Sequence, residues 1–139
     1  MRNLGAKGVV LMRNLGAKGA STLAVMPDVQ LEAEDRTLVT LARSARARAG
    51  TAEGAAVRDT DGRTYVAATV ALTSLRVSAL QLAVAMAASS GVTGLEAAAV
   101  VGEAGTDPPD VDAVRDLGGT GLTVFRTDPA GELVRVVTT

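Results

Sequence analysis

The sequence predicts an α/β protein, an α-β-α sandwich in which a mixed five-stranded sheet carries helices on both faces. Helix-spaced and strand-like segments alternate along the chain, and one apolar run without polar alternation suits a central, parallel strand. The length of 139 residues fits one domain with a sizeable core. That core must be built from Ala, Val and Leu, because Tyr65 and Phe125 are the only aromatic residues.

The first helix is predicted over residues 32–49. Apolar residues recur there at helical spacing, and acidic residues near its start suit the positive end of the helix dipole. Gly50 is expected to end it. A hairpin follows, with a short strand over residues 54–58, an Asp-Gly turn over residues 59–62 and a β-rich strand over residues 64–72.

The second helix is predicted over residues 75–90, with Thr73 and Ser74 offering a hydroxyl N-cap. It is apolar on nearly every side, and a helix of that kind is buried on more than one side. We therefore expect it to be the central helix of the domain, either sandwiched or in an oligomer interface.

The C-terminal part predicts a strand, a helix and two further strands. The strand over residues 95–102 is the apolar run without alternation. Asp107 as N-cap and Pro108 at the first helical position predict a helix that runs to Leu117. The last strands are predicted over residues 121–126 and 133–137. The resulting order is α-β-β-α-β-α-β-β.

A perfect duplication sets residues 1–30 apart. The segment MRNLGAKG stands at residues 1–8 and again at residues 12–19, which is too short for a stacked repeat. We expect a flexible or peripherally docked arm, or an artefact of the start site, followed by a domain over residues 31–139. A basic arm that binds an acidic partner surface is the functional alternative.

The chain contains no histidine and no cysteine, which restricts its chemistry. Histidine is the commonest acid–base group near neutral pH, and both residues are usual zinc ligands. A net charge of −1 gives no overall attraction to nucleic acid. No apolar run reaches the roughly 20 residues that span a bilayer. We expect a cytoplasmic protein without membrane association.

The residues of the first hairpin and the order of helices and strands together resemble those of the cytidine deaminase family. Residues 55–65, AAVRDTDGRTY, are similar to the family's first hairpin, and residues 78–81 stand where the family has Cys-Ala-Glu-Arg. Residues 109–117 stand where the family has its Pro-Cys-Gly-x-Cys motif. The resemblance covers about residues 34–137. It implies the cytidine deaminase-like fold, and dimers or tetramers that bring the central helices together.

The resemblance also implies that the family's reaction is lost. In the family, three Cys or His side chains bind zinc at two helix starts, and a Glu transfers the proton. The ligand positions here hold Ser78, Asp110 and Ala113, and the Glu position holds Leu80. Thr69 and Ala71 replace the family's Asn and Glu on the second strand. We expect these six residues to line a vestigial apolar pocket, with no catalytic residue, no zinc and no other cofactor.

Two other chemistries are less well supported. Four aspartates have oxygens that suit a hard cation, namely Asp107, Asp110, Asp112 and Asp116. Acidic residues near a helix start are, however, favourable in themselves. Ser78 as a nucleophile lacks a base, because histidine is absent and both lysines lie in the duplicated arm.

We therefore expect a non-catalytic protein that acts by binding or assembly, as a homo-oligomer, either a dimer or a tetramer. A resemblance to degenerate deaminase-like proteins of high-GC bacteria suggests a link to nucleosides, RNA or the ribosome, with an unknown protein or RNA partner. The alternative is a nucleoside (cytidine) deaminase that hydrolyses an exocyclic amine.

Overall fold

The computed structural model describes residues 11–15, 21–25, 31–103 and 110–139, with the backbone alone for the first two ranges. The helices are α1 (Ala33–Ala49), α2 (Ala79–Ser89) and α3 (Asp112–Gly118). The strands are β1 (Leu11–Leu15), β2 (Ser21–Val25), β3 (Glu53–Asp59), β4 (Thr64–Ala68), β5 (Val70–Ala71), β6 (Arg76–Val77), β7 (Leu95–Gly102), β8 (Thr123–Thr127) and β9 (Leu133–Thr138). None of the helices in these ranges is long and apolar enough to cross a membrane.

Seven strands form one sheet in the order β1-β2-β9-β8-β7-β3-β4, and β5 pairs with β6 alone. β7 and β8 are parallel, with α3 in their connection, and the other neighbouring strands are antiparallel. Strands β4-β3-β7-β8-β9 form the mixed five-stranded sheet predicted from the sequence, so that prediction is confirmed.

The helices cover both faces of this sheet. α1 packs on one face in a cluster that includes Leu38 and Phe125. α2 and α3 pack on the other face, where Leu80 and Val114 share a second cluster. Neighbouring residues of β7 divide between the two clusters because side chains alternate across a strand. Ala, Val and Leu supply most of both clusters, as the shortage of aromatic residues predicts.

Gly54 allows α1 to lie close against β3. A Cβ atom at this position would collide with the backbone carbonyl of Ala42, and it would lie 2.8 Å from the backbone nitrogen of Arg46. Only glycine permits such an approach of two backbones. The position of Gly54 before the buried Ala-Ala-Val of β3 therefore fixes how α1 sits on the sheet.

The β3–β4 turn agrees with the prediction. Gly62 has φ of +86°, which glycine adopts without strain. The carboxylate of Asp59 accepts hydrogen bonds from the backbone N–H groups of Asp61 and Arg63, both at 2.9 Å. Asp59 and Gly62 thus define the turn between these strands.

The predicted start of α2 was wrong by four residues. Residues 75–77 do not belong to the helix, because Arg76–Val77 pairs with Val70–Ala71 as a small hairpin. Thr73 and Ser74 lie in the turn of that hairpin and cap no helix. The predicted strand over residues 64–72 is also interrupted, since β4 ends at Ala68.

The described residues do not sandwich α2, so its place in an oligomer interface stays a prediction. Its buried residues lie on one face, which includes Leu80 and Val84. Gln81 and Met86 lie on the other face, and Met86 is 40% exposed. Among the residues that the structure describes, α2 is therefore covered on one side only.

The start of α3 needs a similar correction. The helix begins at Asp112, with Val111 at the N-cap, and not at Pro108. Pro108 and the predicted cap Asp107 lie outside the described residues. Asp110 is described and precedes the helix, and its carboxylate accepts a hydrogen bond from the Asp112 N–H.

The duplicated segment falls mostly outside the described residues. The backbone of β1, which includes the start of the second copy, pairs with β2, and β2 pairs with β9. These two strands extend the sheet at its edge. The flexibility or artefactual origin of the arm, and a domain limited to residues 31–139, stay predictions.

Candidate functional site

The starts of α2 and α3 lie on the same face of the sheet. Leu80 from α2 and Val111, immediately before α3, belong to one buried cluster with Val100 of β7. Ala113 is half-buried and packs against the same cluster. The structure therefore brings both sequence motifs of the candidate site together on one side.

Ser78 forms the N-cap of α2. Its hydroxyl accepts a hydrogen bond from the backbone N–H of Gln81 at 3.0 Å, and the Gln81 side chain accepts one from the Ser78 N–H at 3.1 Å. This reciprocal pair is a capping box, which satisfies two otherwise unpaired donors at the helix start. The hydroxyl of Ser78 thus has a structural partner.

Leu80 lies two residues after Ser78, in the first turn of α2, and is 2% exposed. Its side chain lies in the apolar cluster beneath α2. A side chain of this kind accepts no proton and coordinates no cation. Its burial contributes about 1.5–3 kcal/mol to folding by the hydrophobic effect.

Asp110 and Ala113 flank the start of α3. The exposed Asp110 carboxylate accepts a hydrogen bond from the backbone N–H of Asp112 at 3.0 Å. Asp112 itself pairs with Arg115 at 2.9 Å. Ala113 offers only a methyl group. Asp110 is therefore a local turn former, in an environment open to solvent.

Thr69 and Ala71 belong to the segment between β4 and α2. The Thr69 hydroxyl accepts a hydrogen bond from the Glu53 N–H at 3.1 Å, and it donates one to the Glu53 carbonyl at 3.2 Å. The Thr69 N–H donates to that carbonyl at 3.0 Å. Ala71 is exposed on β5. The Thr69 hydroxyl is thus engaged with the backbone of Glu53, and Ala71 belongs to a strand.

The sequence pattern described as cytidine deaminase-like matches residues 31–131. The chain belongs to the cytidine deaminase-like family. A crystal structure of cytidine deaminase from Burkholderia pseudomallei is 27% identical, with a TM-score of 0.60, and the match covers 71% of this chain and 88% of that one.

A cytidine deaminase from Mycobacterium leprae shares the fold at 23% identity and a TM-score of 0.58. That match covers 77% of this chain and 94% of the other. A comparison with curated proteins found no match.

The zinc of cytidine deaminases does not fit the residues of this family member. Zn²⁺ is held by thiolate, imidazole or carboxylate groups, normally four ligands in a structural site and three in a catalytic one. Among Ser78, Asp110 and Ala113, only Asp110 carries such a group, and its carboxylate already accepts a backbone hydrogen bond. Shifting the second motif by one residue substitutes Pro109 and Asp112, which does not complete a ligand set.

The hard-cation alternative gains no support either. Asp107 lies outside the described residues, and Asp112 is paired with Arg115. Within the described ranges, no group of three acidic side chains is arranged to hold a metal ion. We therefore assign no cation to the aspartates around α3.

Sequence reasoning missed the ion pair between Arg126 and Glu53. The guanidinium of Arg126, whose side chain is 4% exposed, donates to the Glu53 carboxylate at 2.6 Å. It also donates to the Glu103 carbonyl at 3.1 Å. The only signal was an arginine inside the apolar strand Thr-Val-Phe-Arg-Thr. Its partner was not predictable, because Glu53 lies 73 residues away.

The Glu53–Arg126 pair lies on the face that carries α2 and α3. Glu53 lies two residues before Ala55 on β3, and Arg126 lies two residues after Val124 on β8, so each shares a face with a residue of that cluster. A Cβ atom on Gly102 would lie 2.9 Å from Glu53 Cγ and 3.2 Å from the guanidinium nitrogens. The pair thus crosses Gly102 at the end of β7.

A polar cleft of about 420 Å³ lies elsewhere, beside α1 and the β3–β4 turn. In it, Arg58 pairs with Glu96 at 2.8 Å and Asp35 at 3.1 Å. Burial lowers the pKa of Arg58, but the hydrogen bonds to Glu96 and Asp35 outweigh it, and the pKa is raised overall. These pairs tie α1 to β3 and β7, and they are distant from the two motifs.

Asp59 and Tyr65 form a hydrogen bond at 3.0 Å beside the turn. Burial raises the pKa of Asp59, but donors from Arg63, Tyr65 and Asp61 outweigh it and lower the pKa overall. Burial, together with the hydrogen bond to Asp59, raises the pKa of Tyr65. Both groups act in the turn, and the Tyr65 side chain also packs against the cluster that contains Leu80.

Proposed function

We propose that this chain is a non-catalytic member of the cytidine deaminase-like family that acts by binding or assembly. The observation that carries the proposal is the burial of Leu80, 2% exposed, at the position that matches the family's proton-transferring Glu. Leucine cannot transfer a proton, and no histidine is present to replace it. The vestigial pocket of Thr69, Ala71, Ser78, Leu80, Asp110 and Ala113 remains part of this proposal.

The hydrogen bonds of Ser78 and Thr69 support the same proposal. The Ser78 hydroxyl is engaged in the capping box, and the Thr69 hydroxyl is engaged with the Glu53 backbone. Both side chains therefore serve the fold. A deaminase needs a nucleophile generator and an acid–base group, and these positions supply neither.

Zinc binding by the full chain tests the loss of the metal site. We expect purified protein to bind less than a stoichiometric amount of zinc in equilibrium dialysis followed by elemental analysis. The positive control is a variant in which the family's zinc-binding groups are restored, by Ser78→Cys, Asp110→Cys and Ala113→Cys. Stoichiometric zinc in the unaltered protein contradicts the proposal.

We also propose that the protein forms a homo-oligomer. Three large apolar side chains in the segment from β5 to α2 are well exposed, namely Leu72 at 59%, Leu75 at 52% and Met86 at 40%. Exposed apolar patches favour self-association, and symmetric dimers are its commonest form. We expect light scattering to give a dimer or tetramer mass, and Leu72→Ser with Leu75→Ser to lower it. A monomer at micromolar concentration contradicts this proposal.

A cytoplasmic location and a protein or RNA partner complete the proposal. The absence of cysteine is compatible with a reducing compartment. The net charge of −1 offers no general attraction to RNA, so a protein partner or a second copy is favoured. Capture from native lysate, with and without ribonuclease, tests for a partner and separates a protein partner from RNA.

The second candidate is a nucleoside deaminase. The similarity to the Burkholderia pseudomallei cytidine deaminase, 88% of whose chain is covered, favours it. A cytidine assay distinguishes the two candidates, because only a deaminase converts cytidine to uridine.

A further inference from the structure

The β5–β6 hairpin is too short to be ordered by its own hydrogen bonds. It contains two residue pairs, Val70 with Val77 and Ala71 with Arg76, and its turn is closed by the Leu72 N–H and the Leu75 carbonyl at 2.8 Å. Even a full two-stranded hairpin is marginally stable alone in water. Further contacts must therefore order this hairpin, and within the described residues the hydrogen bonds at its two ends supply such contacts.

Thr69 holds the first end. It separates β4 from β5, and its N–H and hydroxyl both contact the backbone of Glu53 at 3.0–3.2 Å. Such a two-point contact fixes the backbone of Thr69 against the start of β3. The chain consequently leaves the sheet at a defined place and angle.

Arg126 holds Glu53 in turn. Its guanidinium is almost fully buried and reaches the Glu53 carboxylate at 2.6 Å. A second donor reaches the Glu103 carbonyl across Gly102. A charge-assisted hydrogen bond of this kind is stronger and shorter than a neutral one. The start of β3 is thus tied to β8 and to the end of β7.

Ser78 holds the other end of the hairpin, directly after β6. Its capping box with Gln81 fixes the junction between the hairpin and α2. The hairpin is therefore anchored at both ends, while Leu72 and Leu75 at its turn are more than half exposed. Two positions of the vestigial pocket, Thr69 and Ser78, are the anchors.

We propose that Arg126 is a positioning residue that acts through Glu53 and Thr69 to fix the direction of the β5–β6 hairpin. Thr69 and Ser78, two positions of the vestigial pocket, thus anchor a hairpin that exposes Leu72 and Leu75. The contact of Leu72 and Leu75 with a second copy rests on the proposed function. The anchoring of the hairpin by Arg126 does not.

A spin label on the full chain tests the anchoring. Because the chain has no cysteine, Ser74→Cys gives a single thiol in the exposed hairpin turn, and Ser89→Cys gives a reference site at the end of α2. Electron paramagnetic resonance line shapes then report the local mobility at each site. Arg126→Met removes the ion pair, and Thr69→Val removes the hydroxyl while keeping the side-chain shape.

We expect both variants to shorten the correlation time of the label at position 74 by about threefold or more, since unanchored loops move on the nanosecond scale. The label at position 89 should not change. Arg126→Lys retains a cation for Glu53 and should keep the turn immobile. Arg46→Ala, which removes the neighbouring ion pair with Glu103, is the matched control and should have no effect at position 74.

An immobile turn in folded Arg126→Met and Thr69→Val proteins overturns the proposal, and so does equal loosening at both label sites. Sedimentation of the same variants separates this result from the proposed function. A mobile turn with weakened self-association supports both. A mobile turn with unchanged self-association supports the anchoring by Arg126 and overturns the proposed contact through the two leucines.

Discussion

The hydroxyl of Ser78 accepts a hydrogen bond from the backbone N–H of Gln81 at 3.0 Å, and the Gln81 side chain accepts one from the Ser78 N–H. Ser78 is therefore a helix cap, at a position where the family resemblance implies a zinc ligand. Leu80, two residues later, packs in the apolar core. At the start of α2, both residues therefore stabilise the fold.

Replacing the cap should destabilise the protein. We expect Ser78→Ala to lower the free energy of unfolding by about 1 kcal/mol, because a backbone donor at the helix start loses its partner. Ser78→Asp keeps an acceptor and should retain most of the stability. Urea denaturation measures both. Equal stability of the alanine variant and the unaltered protein would refute the capping role.

Replacing Leu80 distinguishes a packed core from a surviving polar pocket. We expect Leu80→Ala to cost about 2–5 kcal/mol, because it leaves a cavity. Leu80→Glu should cost more, because a carboxylate would be buried without a partner. The half-buried Leu82 is the matched control, and Leu82→Glu should be less damaging. If Leu80→Glu folds with unchanged denaturation midpoint, the position is not part of a packed core.

A methyl group on Gly102 should disrupt the Glu53–Arg126 pair. The added Cβ would lie 2.9 Å from Glu53 Cγ, so the pair must shift, at a cost of about 1–3 kcal/mol. Gly94→Ala is the control, because its Cβ would approach only the Thr60 side chain. Thermal unfolding should rank Gly102→Ala as clearly less stable. The reverse ranking contradicts the position assigned to the pair.

A low pH should remove the contribution of Asp59 to the free energy of unfolding. Its pKa is lowered in the folded protein, so its stabilisation is present above the unfolded pKa of about 3.9 and is lost as the pH falls through the lower folded value. Tyr65→Phe deletes one of its donors. We expect this variant to be less stable at pH 7, with the difference shrinking below about pH 4. A difference that does not change with pH would show that the hydroxyl does not act through Asp59.

The fold was predictable from local patterns, but the site was predictable only in part. The helical spacing around Leu38 and the Asp-Gly turn after β3 predicted α1 and the first hairpin, because both signals are contained in a few consecutive residues. The start of α2 was misplaced because Thr73 and Ser78 both offer a hydroxyl, and only the pairing of β5 with β6 decides between them. The Glu53–Arg126 pair depends on the sheet order, which no local pattern encodes.

A deaminase assay tests the central claim most directly. Full-length protein, loaded with zinc by dialysis, is incubated with cytidine, and the ultraviolet absorbance is followed for conversion to uridine. The variant with restored zinc-binding groups is measured in parallel. We predict no conversion by the unaltered protein above the rate in buffer. Conversion that depends on enzyme concentration, together with stoichiometric zinc, would contradict the account.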